Sequence, residues 1–506
     1  MKTILTNFFI LFLANVLFAQ HGGLIINGAN VNIKDGATIY VDGNTKGNLT
    51  ITDGGHLYLA GWLTLEGEVM NNGTMTLDTS ASLIDNGLST GTGIANYKKC
   101  IDGQYSLFSI PVSGLTANDI TEFALEKYDE TASAMVELGP SDNLLKMTGY
   151  SPTASFGDTK LTIELTGTLN TGNNTLPLQL TADGLNLAGN PYPSGINWNE
   201  IVQMNSNIDK ALYAWNGYNY SYFLANSGLA VNGGTPFIRP GNAFFVKANV
   251  DGSLGFSNSI RVHSSEDTDT SSANLGNYLL ISVENGIYKD ETLINFIPGA
   301  STDYDPDFDA IKLLSPDSDV PQVYTGYQSY KYAINCMPLN ETETEVPLHF
   351  KANTDGVYQF QFIDYKLDNT EYISIKDRKF SEQQVVIFQN NSWLAGSPSF
   401  PFNYYTSDMT NRFTLVFKNT STDFHQNKIN DFWKVYSSGK TVYVDANISD
   451  KEYLTINIYN TLGQLVYRDK AFTGINSFHL NWCYPGIYYV STIMKNKVLS
   501  NKILIR

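Results

Sequence analysis

Cysteine is nearly absent. Three residues, Cys100, Cys336 and Cys483, lie far apart in a chain of 506. A dense disulfide framework is excluded, and each is expected to serve as a small buried hydrophobe. Histidine is scarce as well. None of the six, His21, His56, His263, His349, His425 and His479, stands at the H-x-x-x-H or H-E-x-x-H spacing of a zinc protease. Neither a P-loop nor a G-x-S-x-G nucleophile elbow is expected. Charge is sparse at 16%, and Lys+Arg 32 against Asp+Glu 49 leaves a net −17. An acidic chain repels phosphate backbones, so nucleic acid is not an expected partner, and the net charge serves solubility. Beyond the first twenty residues no apolar run approaches the length of a transmembrane helix, so no transmembrane segment is expected.

What is present points to pleated structure. Aromatics are abundant, with 31 Tyr and 27 Phe, and 41 Gly punctuate short runs rich in Thr, Val and Ile. These residues suit strands, and glycine and asparagine suit the turns between them, so an all-β fold is expected. A chain of this length exceeds one hydrophobic core and divides into several modules. Residues 1–19 read as a signal peptide: Lys2 supplies the positive start, Ile4 to Phe18 is mostly apolar, and Ala19 offers the small residue before cleavage. No cysteine follows that site, so a lipid anchor is not expected.

Residues 20–95 form a Gly/Asn-rich β-repeat region. Units such as Leu49-Thr50-Ile51 and Leu57-Tyr58-Leu59 alternate apolar and polar residues, and glycine recurs at the corners, where positive φ costs it nothing. Strands this short are expected to stack as a β-solenoid, with a β-meander as the competing shape. Residues 96–262 read as a β-sandwich module. Ile120, Phe123 and Ala124 at helical spacing predict one short helix over 116–127. Residues 263–274, rich in Ser, Thr and acid, read as a linker. Residues 275–420 read as a second β-sandwich module, and 425–506 as a small C-terminal β-sandwich.

Several runs carry a resemblance. Ser109-Ile110-Pro111-Val112, Gly189-Asn190-Pro191-Tyr192-Pro193-Ser194, Tyr213-Ala214-Trp215-Asn216 and Ala243-Phe244-Phe245-Val246 resemble modules of large secreted Bacteroidetes surface proteins. Ile456-Asn457-Ile458-Tyr459-Asn460, Gly463-Gln464-Leu465-Val466, Gly474, Asn476, Gly486-Ile487-Tyr488-Tyr489-Val490 and Lys502-Ile503 resemble the type A C-terminal sorting domain of the type IX secretion system. The proline-asparagine-proline opening usual there is replaced by Ser437-Ser438-Gly439-Lys440. The resemblance implies the type IX machinery as a partner and a secreted location, extracellular or on the outer cell surface.

Two constellations are candidates for binding. Trp215, Tyr218, Tyr220 and Tyr222 offer flat rings beside amides, suited to stacking on a glycan, although tyrosines two apart also share one face of a strand and pack on a core. Asp303, Asp305, Asp307 and Asp309 offer hard oxygen ligands for Ca²⁺, although Phe308 stands where a calcium loop needs glycine, and a solvated acidic turn is the favoured reading of the run. No catalytic residue is singled out. The expected role is a non-catalytic structural or adhesive surface protein. The alternative is a carbohydrate-binding or polysaccharide-degradation accessory protein, with surface polysaccharide or extracellular glycan as ligand. An enzyme comes third.

Overall fold

The computed structural model describes residues 24–419 and 433–505, apart from short stretches at 27, 35–36, 42–47, 88, 226, 265–275, 298, 327–329, 340–342, 369, 381–382, 390–391, 395–397, 447, 449–452 and 495–496. The expected signal peptide, the linker from residue 265 onward and the first residues of the 425–506 block lie outside the described residues. The protein is almost entirely β.

The first strands form three parallel ladders. Leu24–Ile26, Leu49–Ile51, Val69–Asn71 and Ser89–Thr90 make one. Asn30–Ile33, His56–Leu59 and Thr74–Leu77 begin a second. Thr38–Val41, Trp62–Leu65 and Ser82–Asp85 make the third. Each strand pairs with its equivalent one coil later, Leu49 with Val69, Leu57 with Met75 and Leu63 with Leu83. Alternation turns every second residue inward, so these six side chains are buried one above another. Corner glycines act mainly by size. A Cβ on Gly61 would lie 2.3 Å from the Ala37 carbonyl oxygen, and one on Gly73 would lie 2.3 Å from that of Gly55. Positive φ, the expected reason for glycine, applies at Gly54 (φ +73°) but not at those two.

Strand Ile94–Asp102 pairs parallel with Thr74–Leu77 and antiparallel with Lys160–Leu169. It carries the stack directly into the antiparallel part of the chain, and position 95/96 falls inside it. One core contains Leu57, Leu77, Tyr97, Phe108, Ile120 and Leu165. Cys100 is only half-buried, contrary to expectation, because it sits on the face of this strand that alternates with buried Tyr97 and Ile101. Cys336 and Cys483 are buried.

The helix expected over 116–127 is a single 3-10 turn, Ala117–Asp119, followed by the strand Leu125–Asp129. The Asp119 carboxylate accepts from the Thr116 N–H at 2.7 Å and from its hydroxyl at 2.9 Å, which closes the turn. Ile120 and Phe123 reach the core from the irregular chain between that turn and the strand instead.

Downstream, strands Leu185–Gly189, Ala243–Lys247, Ala211–Trp215, Tyr220–Leu224 and Leu229–Val231 form an antiparallel sheet in that order. Helix Trp198–Met204 packs beneath it, capped by Asn197, whose side chain accepts from the Asn199 N–H at 3.1 Å. The Gly189–Ser194 run is interior. Its prolines cannot donate to a ladder, and the Asn190 side chain supplies partners, donating to the Ser194 and Arg239 carbonyls (2.8 and 3.0 Å) and accepting from the Tyr192 N–H (3.0 Å).

Residues 277–419 form a twelve-stranded sheet that coils on itself, so that Phe296 meets Phe417 at 4.9 Å and Phe350 meets Phe402 at 5.1 Å between ring centroids. The chain divides after Asn419. The second unit has a sheet of Trp433–Ser438, Thr441–Ala446 and Gly474–His479, and another of Leu465–Ala471, Leu454–Asn460, Gly486–Met494 and Lys497–Ile505. Val442, Val444, Ile456, Ile458 and Val490 fill its core.

Candidate functional site

The two constellations expected from sequence both lie where the 185–262 and 277–337 parts of the chain meet. Tyr220 and Tyr222 share a face of strand Tyr220–Leu224, and Tyr218 precedes it. Tyr222 is fully buried; its hydroxyl donates to the Leu313 carbonyl at 2.8 Å and accepts from the Leu313 N–H at 3.1 Å. Burial holds the phenol well above the usual tyrosine range. The other rings meet rings of the same chain: Trp215 lies 5.2 Å from Tyr220, Tyr220 lies 6.0 Å from Phe245, and Tyr218 lies 5.3 Å from Tyr288.

Beside Tyr222 is a buried polar cluster. Asp290 accepts from Lys312 Nζ at 2.5 Å, from the side-chain amides of Asn219 (2.7 Å) and Asn232 (2.9 Å), and from the Val323 N–H at 2.7 Å. Lys312 also sits over the Tyr222 ring at 5.4 Å. Burial pulls its ammonium below the ordinary lysine range while Asp290 opposes that shift. A second buried pair ties the stacked coils to residue 261: Arg261 donates to the Asp85 carboxylate at 2.7 Å, to the Leu83 carbonyl at 2.6 Å and to the Ser194 hydroxyl at 3.0 Å.

The four aspartates point to different partners. Asp309 is buried and accepts from the Cys336 and Asp305 N–H groups at 2.8 and 2.9 Å, while burial pushes its carboxyl up to about 7. Asp305 accepts from the Asp307 N–H at 3.0 Å, and Asp307 lies 4.0 Å from Lys210. Asp303 is exposed. Among the described residues no group of three or more His, Cys, Asp or Glu is placed to hold a metal ion.

The run Gly87-Leu88-Ser89-Thr90-Gly91 spells G-x-S-x-G, which the sequence reading passed over. Ser89 lies in a two-residue strand paired parallel with Val69, not on a turn into a helix.

Sequence reasoning also missed a cleft of about 630 Å³ on the large sheet. Tyr324 and His349 face each other across strands Gln322–Thr325 and Glu343–Lys351, with rings stacked 4.8 Å apart. Lys331 sits over Tyr324 at 5.7 Å. Arg378, Tyr330, Thr410 and Asn411 also line it. Burial lowers the His349 pKa, the Gly326 backbone raises it, and the charges of Lys331 and Arg378 lower it further. The available signal was weak: Tyr330-Lys331 and an isolated His349, brought together only by strand pairing.

A family model described as a domain of unknown function, DUF8693, matches residues 23–417. A second, described as a secretion system C-terminal sorting domain, matches residues 438–506. No curated protein matches the chain.

Proposed function

Since this chain belongs to the DUF8693 family and ends in a sorting domain that marks it for type IX secretion, we propose that it is a non-catalytic protein of the outer cell surface or extracellular space with a structural or adhesive role. The observation that carries this reading is the pair of buried polar ties, Arg261 to Asp85 and the Lys312-paired Asp290 to Asn219 and Asn232, which fasten parts of the chain 58 to 176 residues apart into one cargo unit. A contact-making cargo gains from such fastening, because force applied at one strand is shared across the unit. Deleting the gene in the parent bacterium is expected to impair attachment to surfaces or biofilm formation, while the purified protein hydrolyses no member of a polysaccharide panel. Unchanged attachment, or hydrolysis, overturns the reading. A second reading, a carbohydrate-binding accessory protein, is favoured by the aromatic and cationic cleft.

A further inference from the structure

The cleft is positive on a negative molecule. The chain carries net charge −17, yet no Asp or Glu lines this concavity among the described residues, whereas Lys331, Arg378 and His349 do. Both Lys331 and Arg378 are exposed, and among the described residues neither pairs with a carboxylate. By contrast, Lys379 is matched by Asp408 at 2.7 Å and Lys289 by Glu291 at 2.6 Å. Cations gathered in a concavity without a counter-charge leave their donors to an incoming anion.

The remaining wall defines more than an anion hole. Tyr330 stacks on Tyr304, with ring centroids 5.1 Å apart, and is still 44% exposed, so part of its ring is open to an apolar face of a ligand, and Asn411 and Thr410 add an amide and a hydroxyl. The volume of about 630 Å³ lies within the range of small-ligand sites, roughly 300–1,000 Å³. Aromatic area, neutral hydrogen-bonding groups and paired cations together match a sugar ring that bears an oxyanion.

We propose that this cleft binds an acidic saccharide, with the carboxylate or sulfate group held by Lys331 and Arg378 and the sugar ring against Tyr330. This deepens the adhesive reading by naming what the surface would hold, and rests on that reading for the choice of a saccharide. Arg378 offers the planar fork suited to a carboxylate, and Lys331 a point charge suited to either anion.

The test is calorimetric titration of the mature full-length protein with glucuronate, glucose 6-sulfate, neutral glucose and inorganic sulfate. Both acidic sugars are expected to bind more tightly than glucose, with the preferred one identifying the anion. Lys331→Ala and Arg378→Ala are each expected to weaken binding about tenfold, as loss of a charge-assisted contact does. Lys146→Ala, at an exposed lysine outside the cleft, is expected to leave it unchanged. Thermal midpoints report folding directly, and a shift of less than about 3 °C is expected for each exposed substitution. Glucose binding as tightly as glucuronate, or a Lys331→Ala/Arg378→Ala protein binding like the parent, overturns the proposal. Inorganic sulfate binding as tightly as glucose 6-sulfate overturns its saccharide part. Impaired attachment on gene deletion without saccharide binding sinks the cleft and leaves the adhesive reading standing; saccharide binding with unchanged attachment does the reverse.

Discussion

Lys312 over Tyr222 and Lys331 over Tyr324 are the same pair of residue types at nearly the same separation, 5.4 and 5.7 Å. Their surroundings differ in every other respect. Lys312 is buried, and Asp290 and two asparagine amides complete its polar cluster. Lys331 is exposed at the rim of a cleft that holds no acid among the described residues. A lysine on a tyrosine ring therefore says nothing by itself about its use. The counter-charge decides: where the chain supplies one, the pair fastens the fold, and where it does not, the pair is left for a ligand.

The largest effect is expected at the fastened pair. Asp290→Ala leaves a buried ammonium without its carboxylate and the Asn219 amide and Val323 N–H without their acceptor, while the Asn232 amide keeps the Tyr220 carbonyl, and should cost about 3–5 kcal/mol. Urea unfolding of the full-length protein measures it, read on the transition of the larger unit. The sharper test is Asp290→Leu with Lys312→Met. Removing both charges together is expected to restore most of the loss, because desolvation of the pair disappears with it. If the double variant is as unstable as Asp290→Ala, the cluster acts through its asparagine bonds and not through the ion pair.

The same contrast explains what was legible in the sequence. The sorting tail was readable because its signal is local: Asn460, Gly463 and Gln464 form one turn, with the Asn460 side chain accepting from the Leu462 and Gln464 N–H groups at 3.0 Å each. The short first strands were readable for a similar reason, since Leu57-Tyr58-Leu59 alternates within a single strand. The 116–127 run misled because helical spacing of Ile120, Phe123 and Ala124 also satisfies a turn followed by a strand in a shared core. The cleft was invisible because Tyr324, Lys331, His349 and Arg378 come from different strands and turns, and only register brings them together. Asp290 and Lys312 were missed similarly, being ordinary exposed-looking charges in the sequence and buried only when Asn219 and Asn232 close over them.

An intermediate effect comes from giving the cleft what the buried cluster already has. Thr410→Glu places a carboxylate in the wall beside Lys331 and Arg378. Affinity for glucose 6-sulfate is expected to fall at least about tenfold, since the new acid competes for both cations and repels the ligand. Stability should change by no more than about 1 kcal/mol, because an exposed ion pair contributes little. A large gain in stability would instead show that the cleft cations are strained by mutual repulsion in the parent protein.

The smallest effect is expected from pH, and its direction discriminates. His349 titrates below the ordinary histidine value of about 6.5, with burial as the largest cause and the Lys331 and Arg378 charges adding to it. Tyr324, stacked on it, titrates above the tyrosine range and stays neutral. The imidazole is therefore uncharged at neutral pH. As pH falls, the unfolded chain takes up this proton first, so the stability linked to His349 is complete above about pH 6.5 and declines as pH drops through the lower folded value. Anion affinity runs the other way, because protonation adds a third positive charge to the cleft. A sulfate ester remains ionised throughout this window, so glucose 6-sulfate should bind more tightly once the pH has fallen through the folded His349 value than at about pH 7.5, while the free protein melts at a lower temperature. His349→Phe keeps a ring on Tyr324 and removes the titration, and should flatten the affinity profile. Binding by the parent that does not change with pH would place the anion away from His349, on Arg378 and the outer rim alone.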